Sequence, residues 1–253
     1  QSLSKVPLLI TADLERGLGN QLTGGVHFPY NMALGATRSE ELAYLDGKIT
    51  ALEARAAGIH QTYAPVVDVN NNADNPIINI RSFGETPELV SKLGTAFIRG
   101  CQDNGLIATA KHFPGHGDTD VDSHSRLVVI NADKYRLNTV ELPPFRAAIE
   151  AGVRSIMIAH ISVPVLDAED TPATLSSNII SGLLRESLQF DGLVVTDAME
   201  MGGITNEHSI VNAAVKTIQA GSDMILIPPD ASLAQRGLMA AVKRGFISEE
   251  RII

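Results

Sequence analysis

Residues 111–124, "KHFPGHGDTDVDSH", bring three histidines, three aspartates and one lysine into one short stretch. Metal binding and proton transfer are the two chemistries such a cluster invites. Helical pairing of its histidines on one metal fails, because Pro114 and the flanking Gly115 and Gly117 break any helix. "DTDVD" (118–122) resembles the start of a calcium loop, but counted from Asp118 the glycine position holds Ser123 and the closing glutamate position holds Val129. A mixed His/Asp metal site remains the weaker alternative. For proton transfer, Asp122 stands two residues before His124, close enough to fix one imidazole nitrogen and leave the other for substrate. Such a pair needs a group across the site, and Asp197, ending the apolar run "GLVVTD", is the candidate. A carboxylate nucleophile facing a proton donor is the arrangement of a retaining glycosidase.

The elements that must position these residues repeat along the chain. Apolar runs at 7–13, 61–69, 106–113, 155–160, 192–197 and 223–229 predict strands. Helical spacing between them predicts helices over 39–58, 86–105, 139–152, 176–189, 207–221 and 231–244. Ser39 with following glutamates, and Pro87 with Gly105, mark two of these helices by their ends. Alternating strands and helices imply βαβ units and a parallel sheet, either doubly wound or a (β/α)8 barrel. No Gly-rich phosphate fingerprint follows the first strand. Asp13, Asp68, Lys111 with His112, His160 and Asp197 all fall at carboxyl ends of predicted strands. In a barrel those ends converge on one face, so this placement favours a TIM-type barrel enzyme. "DVNNNADNP" (68–76) reads as a turn-rich loop, and the chain reads as a single domain over 1–253.

Composition narrows the partners. A net charge of −9 argues against nucleic acid or an anionic membrane as the main partner. No apolar run reaches the length of a membrane span. The single cysteine, Cys101, excludes an internal disulfide and a thiolate-rich metal site.

Several segments carry a family resemblance: "FPYNMALGAT" (28–37), "YAPVVDVNNNADNPIINIRSFGETPELV" (63–90), the 111–124 stretch and "FDGLVVTDAMEMGGIT" (190–205). Together they resemble bacterial β-N-acetylglucosaminidases of glycoside hydrolase family 3, in order and spacing over nearly the whole chain. The resemblance implies a TIM-type (β/α)8 barrel and no metal or organic cofactor. It implies Asp197 as nucleophile, His124 as general acid/base and Asp122 as the group orienting it. It also implies Asp13, Arg81, Lys111 and His112 as ligands of the sugar hydroxyls. His160, ending a predicted strand, reads as a non-catalytic pocket residue, and Met199 as a floor of the sugar site or core filling. The expected reaction is retaining exo-hydrolysis of terminal β-linked N-acetylglucosamine from peptidoglycan fragments or chitin-type oligosaccharides. "DLERGLGN" (13–20) departs from the family's Asp-Gln-Glu-Gly-Gly-Arg, with Leu14 and Arg16 replacing family residues. The ends also read as those of a barrel truncated on both sides and fused to a further domain, so the bacterial cytoplasm and the cell envelope both stay open as its location.

Competing expectations stand beside these. A neutral histidine does not repel phosphate, so a phosphorylase is the nearest enzyme alternative, followed by a β-glucosidase. A sugar-binding module that has lost catalysis is the alternative outside enzymes. His27, His60 and His208 read as packing, surface or capping residues. His116 reads equally as a loop-holding or a functional residue, Met201 as a floor of the sugar site or core filling, and Asp118 and Asp120 as solvated.

Overall fold

The computed structural model describes residues 6–119, 126–167 and 171–252. Among the described residues the strands are β1 Thr11–Ala12, β2 Gln61–Thr62, β3 Thr109–Phe113, β4 Val128–Val129, β5 Ser155–Ile158, β6 Ile161–Ser162, β7 Leu193–Ala198 and β8 Met224–Leu226. The α-helices are α1 Asn31–Thr37, α2 Glu40–Ala56, α3 Pro87–Asp103, α4 Lys134–Arg136, α5 Pro143–Glu150, α6 Gly202–Thr205, α7 Ile210–Ala220 and α8 Ala231–Lys243. Local chemistry explains several boundaries. The side chains of Ser39, Thr86, Ser209 and Asp230 each accept a hydrogen bond from the first turn of α2, α3, α7 and α8.

β1 pairs in parallel with β2, and single bridges from Gln61 to Ile107 and from Val66 to Lys111 continue toward β3. β3, β5, β7 and β8 then follow side by side, all parallel. Spatial order along this array therefore repeats sequence order, with helical segments crossing between neighbours. A doubly wound sheet would reverse direction at a switch point, and none occurs among the described residues. The fold is a TIM-type, barrel-like α/β fold. β4 and β6 form a small separate parallel ladder just beyond β3 and β5.

Four of the six expected helices appear as α2, α3, α7 and α8. The expected helix over 176–189 is a π-helical segment, Asn178–Ser187. That over 139–152 is split, with π-helical turns at Leu137–Glu141 leading to α5, whose start carries Pro143 and Pro144. The strand expected over 7–13 ladders only at Thr11 and Ala12, and Leu8, Leu9 and Ile10 are exposed. Phe83, Phe97, Phe113 and Phe145 are fully buried in one large core between strands and helices.

α2 packs against α3 through glycine. A Cβ on Gly47 would stand 2.3 Å from the Phe97 carbonyl oxygen, and one on Gly100 2.2 Å from that of Tyr44. This close seam also traps Asp46, 2% exposed. Its Oδ1 accepts from Thr50 Oγ1 at 3.3 Å, and its Oδ2 has no hydrogen-bond partner among the described residues. Burial pushes its pKa up to about 7, outweighing the Thr50 hydrogen bond. A carboxyl raised in the folded state contributes stability at low pH that is lost as pH rises through about 7. Asp46→Asn is accordingly expected to match the parent near pH 4 and to exceed its stability by about 1–3 kcal/mol at alkaline pH. Urea unfolding across that range measures the difference.

Candidate functional site

The carboxyl ends of β1, β3, β5, β7 and β8 surround a cavity of about 360 Å³. Asp13 and Glu15 enter it from beyond β1, Lys111 and His112 from β3, Met157 from β5, Asp197 from β7, and Leu226 with Ile227 from β8. The placement follows from the fold: polar residues at strand ends meet where the βα loops begin.

Asp68 is the buried centre of one wall, with no solvent exposure. Its carboxylate accepts from the backbone N–H of His112 at 3.2 Å and of His116 at 2.7 Å. Its Oδ2 also lies 2.7 Å from His112 Nδ1. Donation of Nδ1–H to Asp68 fixes the imidazole and leaves His112 Nε2 on the cavity side, 3.5 Å from Arg81 Nη2. Burial would raise the Asp68 pKa, but attraction to His112 and the hydrogen bonds outweigh it and hold the carboxyl below its ordinary range. The Lys111–His112 and Phe113–Pro114 peptides are cis, and the register between β3 and β5 shifts between Ala110 and Phe113.

A second cluster is ionic. Glu15 accepts from Arg81 Nε at 3.0 Å and Nη2 at 2.7 Å, and its Oε1 lies 2.7 Å from Lys111 Nζ. Lys111 Nζ also donates to Asp13 Oδ1 at 2.8 Å. The Lys111 side chain is only 4% exposed, whereas that of Asp13 is 49% exposed. Burial acts to raise the Glu15 pKa, but Lys111 and Arg81 prevail and push it far down. The same carboxylates overcome the burial penalty on Lys111 and keep its pKa raised. The altered segment "DLERGLGN" thus keeps its acidic residues in the cavity. Leu14 is buried in the core, and Arg16 stacks 4.2 Å from the Tyr30 ring centroid.

Asp197 lines the cavity at the end of β7, and its Oδ1 accepts from the Ala198 N–H at 2.8 Å. Burial raises its pKa, but His112, His160, the Ala198 amide and Lys111 together bring it below the ordinary value. It is a carboxylate at neutral pH.

Sequence and structure differ at several positions. His160 is fully buried, with Nδ1 2.6 Å from Thr174 Oγ1 and Nε2 3.0 Å from the Ala198 carbonyl, and it supports the strand behind Asp197 rather than lining the cavity. Met199 packs with Ile204 and Ala213 away from the cavity, because the chain leaves β7 at Ala198 and turns, and Met201 lines the cavity instead. Asp118 is paired with Arg136 at 2.6 Å, and Arg136 also reaches Glu141 at 3.1 Å. Asp122 and His124, like Asp120, lie outside the described residues. Glu15 and Asp68 had no place among the expected sugar ligands and nucleophile, yet they hold Arg81, Lys111 and His112. The loop 68–76, expected to be only a turn, cradles the motif. Asn75 Nδ2 donates to the carbonyls of His116 and Gly117, and a Cβ on Gly117 would lie 1.7 Å from the Val69 carbonyl oxygen. Only the spacing of asparagines in "DVNNNADNP" hinted at this.

Among the described residues, no group of three His, Cys, Asp or Glu side chains is arranged to hold a metal ion. No helix among them is long and apolar enough to cross a membrane.

Comparison with known proteins matches residues 1–253 to the model of the "Glycosyl hydrolase family 3 N terminal domain". A β-hexosaminidase A of Pseudoalteromonas piscicida is 39% identical over 90% of this chain and 41% of its own length. The solved structure of a glycoside hydrolase family 3 β-N-acetylglucosaminidase from Paenibacillus sp. str. FPU-7 superposes with a TM-score of 0.94 at 49% identity, covering 98% of this chain and 48% of that one. A β-glucoside phosphorylase, BglX, bound to 2FGlc, superposes with a TM-score of 0.93 at 32% identity, covering 99% and 47%. The chain thus spans a little under half the length of each of these relatives.

The Asp68 geometry predicts a stability effect and its pH dependence. A carboxyl depressed in the folded state contributes stability above its unfolded pKa, and that stability is lost as pH falls through the folded value. Asp68→Asn is expected to cost about 2–4 kcal/mol at neutral pH and progressively less toward strongly acidic pH. Denaturant unfolding of both proteins over that range measures the convergence.

Proposed function

The chain belongs to glycosyl hydrolase family 3, and we propose on that premise that its cavity performs retaining hydrolysis of terminal β-linked N-acetylglucosaminides. The observation that carries this reading is one cavity lined by Asp197 together with the Asp13–Lys111–Glu15–Arg81 cluster and His112. Fixed charges and donors of that kind suit a ring of neighbouring hydroxyls, and a carboxylate beside them suits attack on the anomeric carbon.

In the proposed mechanism, Asp13, Arg81, Lys111 and His112 hold the sugar in the cleaving subsite. The Asp197 carboxylate attacks the anomeric carbon as the glycosidic C–O bond breaks, giving a covalent glycosyl-aspartate. His124, oriented by Asp122, protonates the departing oxygen. In the second half, neutral His124 takes a proton from water as that water attacks the anomeric carbon and releases Asp197. Asp197 is held as a carboxylate by its surroundings, so its nucleophilic form is present across neutral pH. A histidine supplies the proton transfers without a strongly raised carboxylate pKa. Peptidoglycan fragments and chitin-type oligosaccharides are the natural substrates this reading anticipates.

Phosphorolysis is the second reading, favoured by the likeness to a β-glucoside phosphorylase. The two differ only in the acceptor that meets the glycosyl-enzyme, water or phosphate.

Steady-state kinetics of the full-length protein on aryl β-N-acetylglucosaminides tests both. Asp197→Ala is expected to lower kcat/KM by at least about 10³-fold, and parent-like turnover by that variant contradicts the reading. His124→Ala is expected to lose about 10²–10⁴-fold on poor leaving groups and markedly less on good ones. Turnover unchanged by added phosphate supports hydrolysis, whereas a phosphate-dependent rate with release of a sugar 1-phosphate supports phosphorolysis.

A further inference from the structure

Ile227 is held in the left-handed region, with φ of 42°. It is the sole β-branched residue with positive φ among the described residues, and β-branched side chains avoid that region strongly. It also precedes Pro228, which by itself favours an extended conformation. Two local preferences are therefore overridden at one position.

What overrides them is visible on both sides. Before it, the Leu226 N–H donates to Thr196 Oγ1 at 2.9 Å, and the Leu226 carbonyl accepts from the Met199 N–H at 2.9 Å. After it, Pro228 and Pro229 line a small apolar pocket together with Met199, Ile204 and Ala213. Between these anchors Ile227 lines the main cavity beside Leu226 and Met201. Despite being a large apolar side chain, it stays 51% exposed. A strained backbone kept by its surroundings at a functional cavity points to a role for the side chain it presents.

We propose that Ile227 is a specificity-determining residue, an apolar platform at the cavity rim that receives the face of the leaving group. This rests on the glycosidase reading of the cavity. The polar cluster of Asp13, Glu15, Arg81 and Lys111 occupies the side of β1 and β3, whereas Ile227 lies beyond β8, past Asp197. A sugar gripped by the polar cluster and attacked by Asp197 sends its aglycone toward solvent. Ile227 combines apolar character, partial exposure and a place in that cavity's lining. The ligand it fits is an aryl group or the apolar face of a second pyranose.

The test compares the full-length parent with Ile227→Gly and Ile227→Asn, two residues that tolerate positive φ. For each protein, kcat/KM is measured on 4-nitrophenyl β-glycosides and on the matching β-glycosyl fluorides, which carry no aglycone surface. Both N-acetylglucosamine and glucose series are used. The expected result is a loss of about 10-fold on the aryl substrates, with the fluorides within about 2-fold of the parent. Tm is expected to be unchanged or raised, because relief of strain offsets the lost contacts. An aryl-to-fluoride ratio unchanged in both variants overturns the proposal. So does an equal loss on both substrates with a lowered Tm, which marks a structural role. A changed preference between N-acetyl and longer N-acyl substrates with an unchanged aryl-to-fluoride ratio also overturns it.

A parent preferring glucosides would refute the N-acetylglucosaminide reading while leaving the Ile227 ratio measurable. If the parent turns over neither series, calorimetric Kd values for aryl against methyl β-glycosides supply the ratio. There the proposal requires about a 10-fold loss confined to the aryl ligand, and equal affinities for parent and variants contradict it.

Discussion

The site depends first on one buried carboxylate. Asp68 has no contact with solvent and is stabilised as an anion by the N–H groups of His112 and His116 and by the His112 ring. Without those donors its burial would be costly, and without Asp68 two backbone amides would be orphaned inside the wall of the cavity. The same carboxylate fixes where "KHFPGH" runs after β3 and which imidazole nitrogen faces the cavity. From there the chain is held by Asn75, which binds the carbonyls of His116 and Gly117, and by the Asp118–Arg136 pair. The stretch leading to Asp122 and His124 is therefore anchored by three separate residues.

The ionic cluster solves a different problem. Lys111 is nearly buried and would be expensive to keep charged alone. Glu15 and Asp13 supply the compensating charge, and Glu15 also grips Arg81 through two hydrogen bonds. Long side chains thereby lose their freedom before any ligand arrives, so less ordering remains for binding. Positive charge near Asp197 also helps keep it ionised. Preorganisation here is electrostatic and comes from residues beyond β1, on β3 and in the 3-10 turn Asn79–Arg81.

Much of the barrel was legible because its signals are local. Apolar runs ending in Asp13, Lys111 and Asp197 mark strands and their functional ends together, and Ser39 or Pro87 mark helix starts without reference to the rest of the fold. What stayed hidden depends on contacts between distant segments. Nothing near Glu15 says that it will meet Arg81 and Lys111, and nothing in "DVNNNADNP" says that Asn75 will hold the loop at 116–117. Met199 and Met201 are two residues apart, and only the turn after β7 decides that the second reaches the cavity. His160 ends a strand as Asp197 does, but Thr174 and the Ala198 carbonyl consume both ring nitrogens. Pairing partners, not residue types, separate the supporting groups from those facing the cavity.

The central claim is that Asp197 forms a covalent bond to the sugar. Incubating the full-length protein with a ring-fluorinated N-acetylglucosaminyl fluoride slows both steps and allows the intermediate to accumulate. Peptide mass spectrometry then locates the label. The account predicts a single glycosylated peptide containing Asp197, inactivation in step with its appearance, and no label on an Asp197→Ala variant. Label on another carboxylate, or labelling that persists in Asp197→Ala, would contradict it.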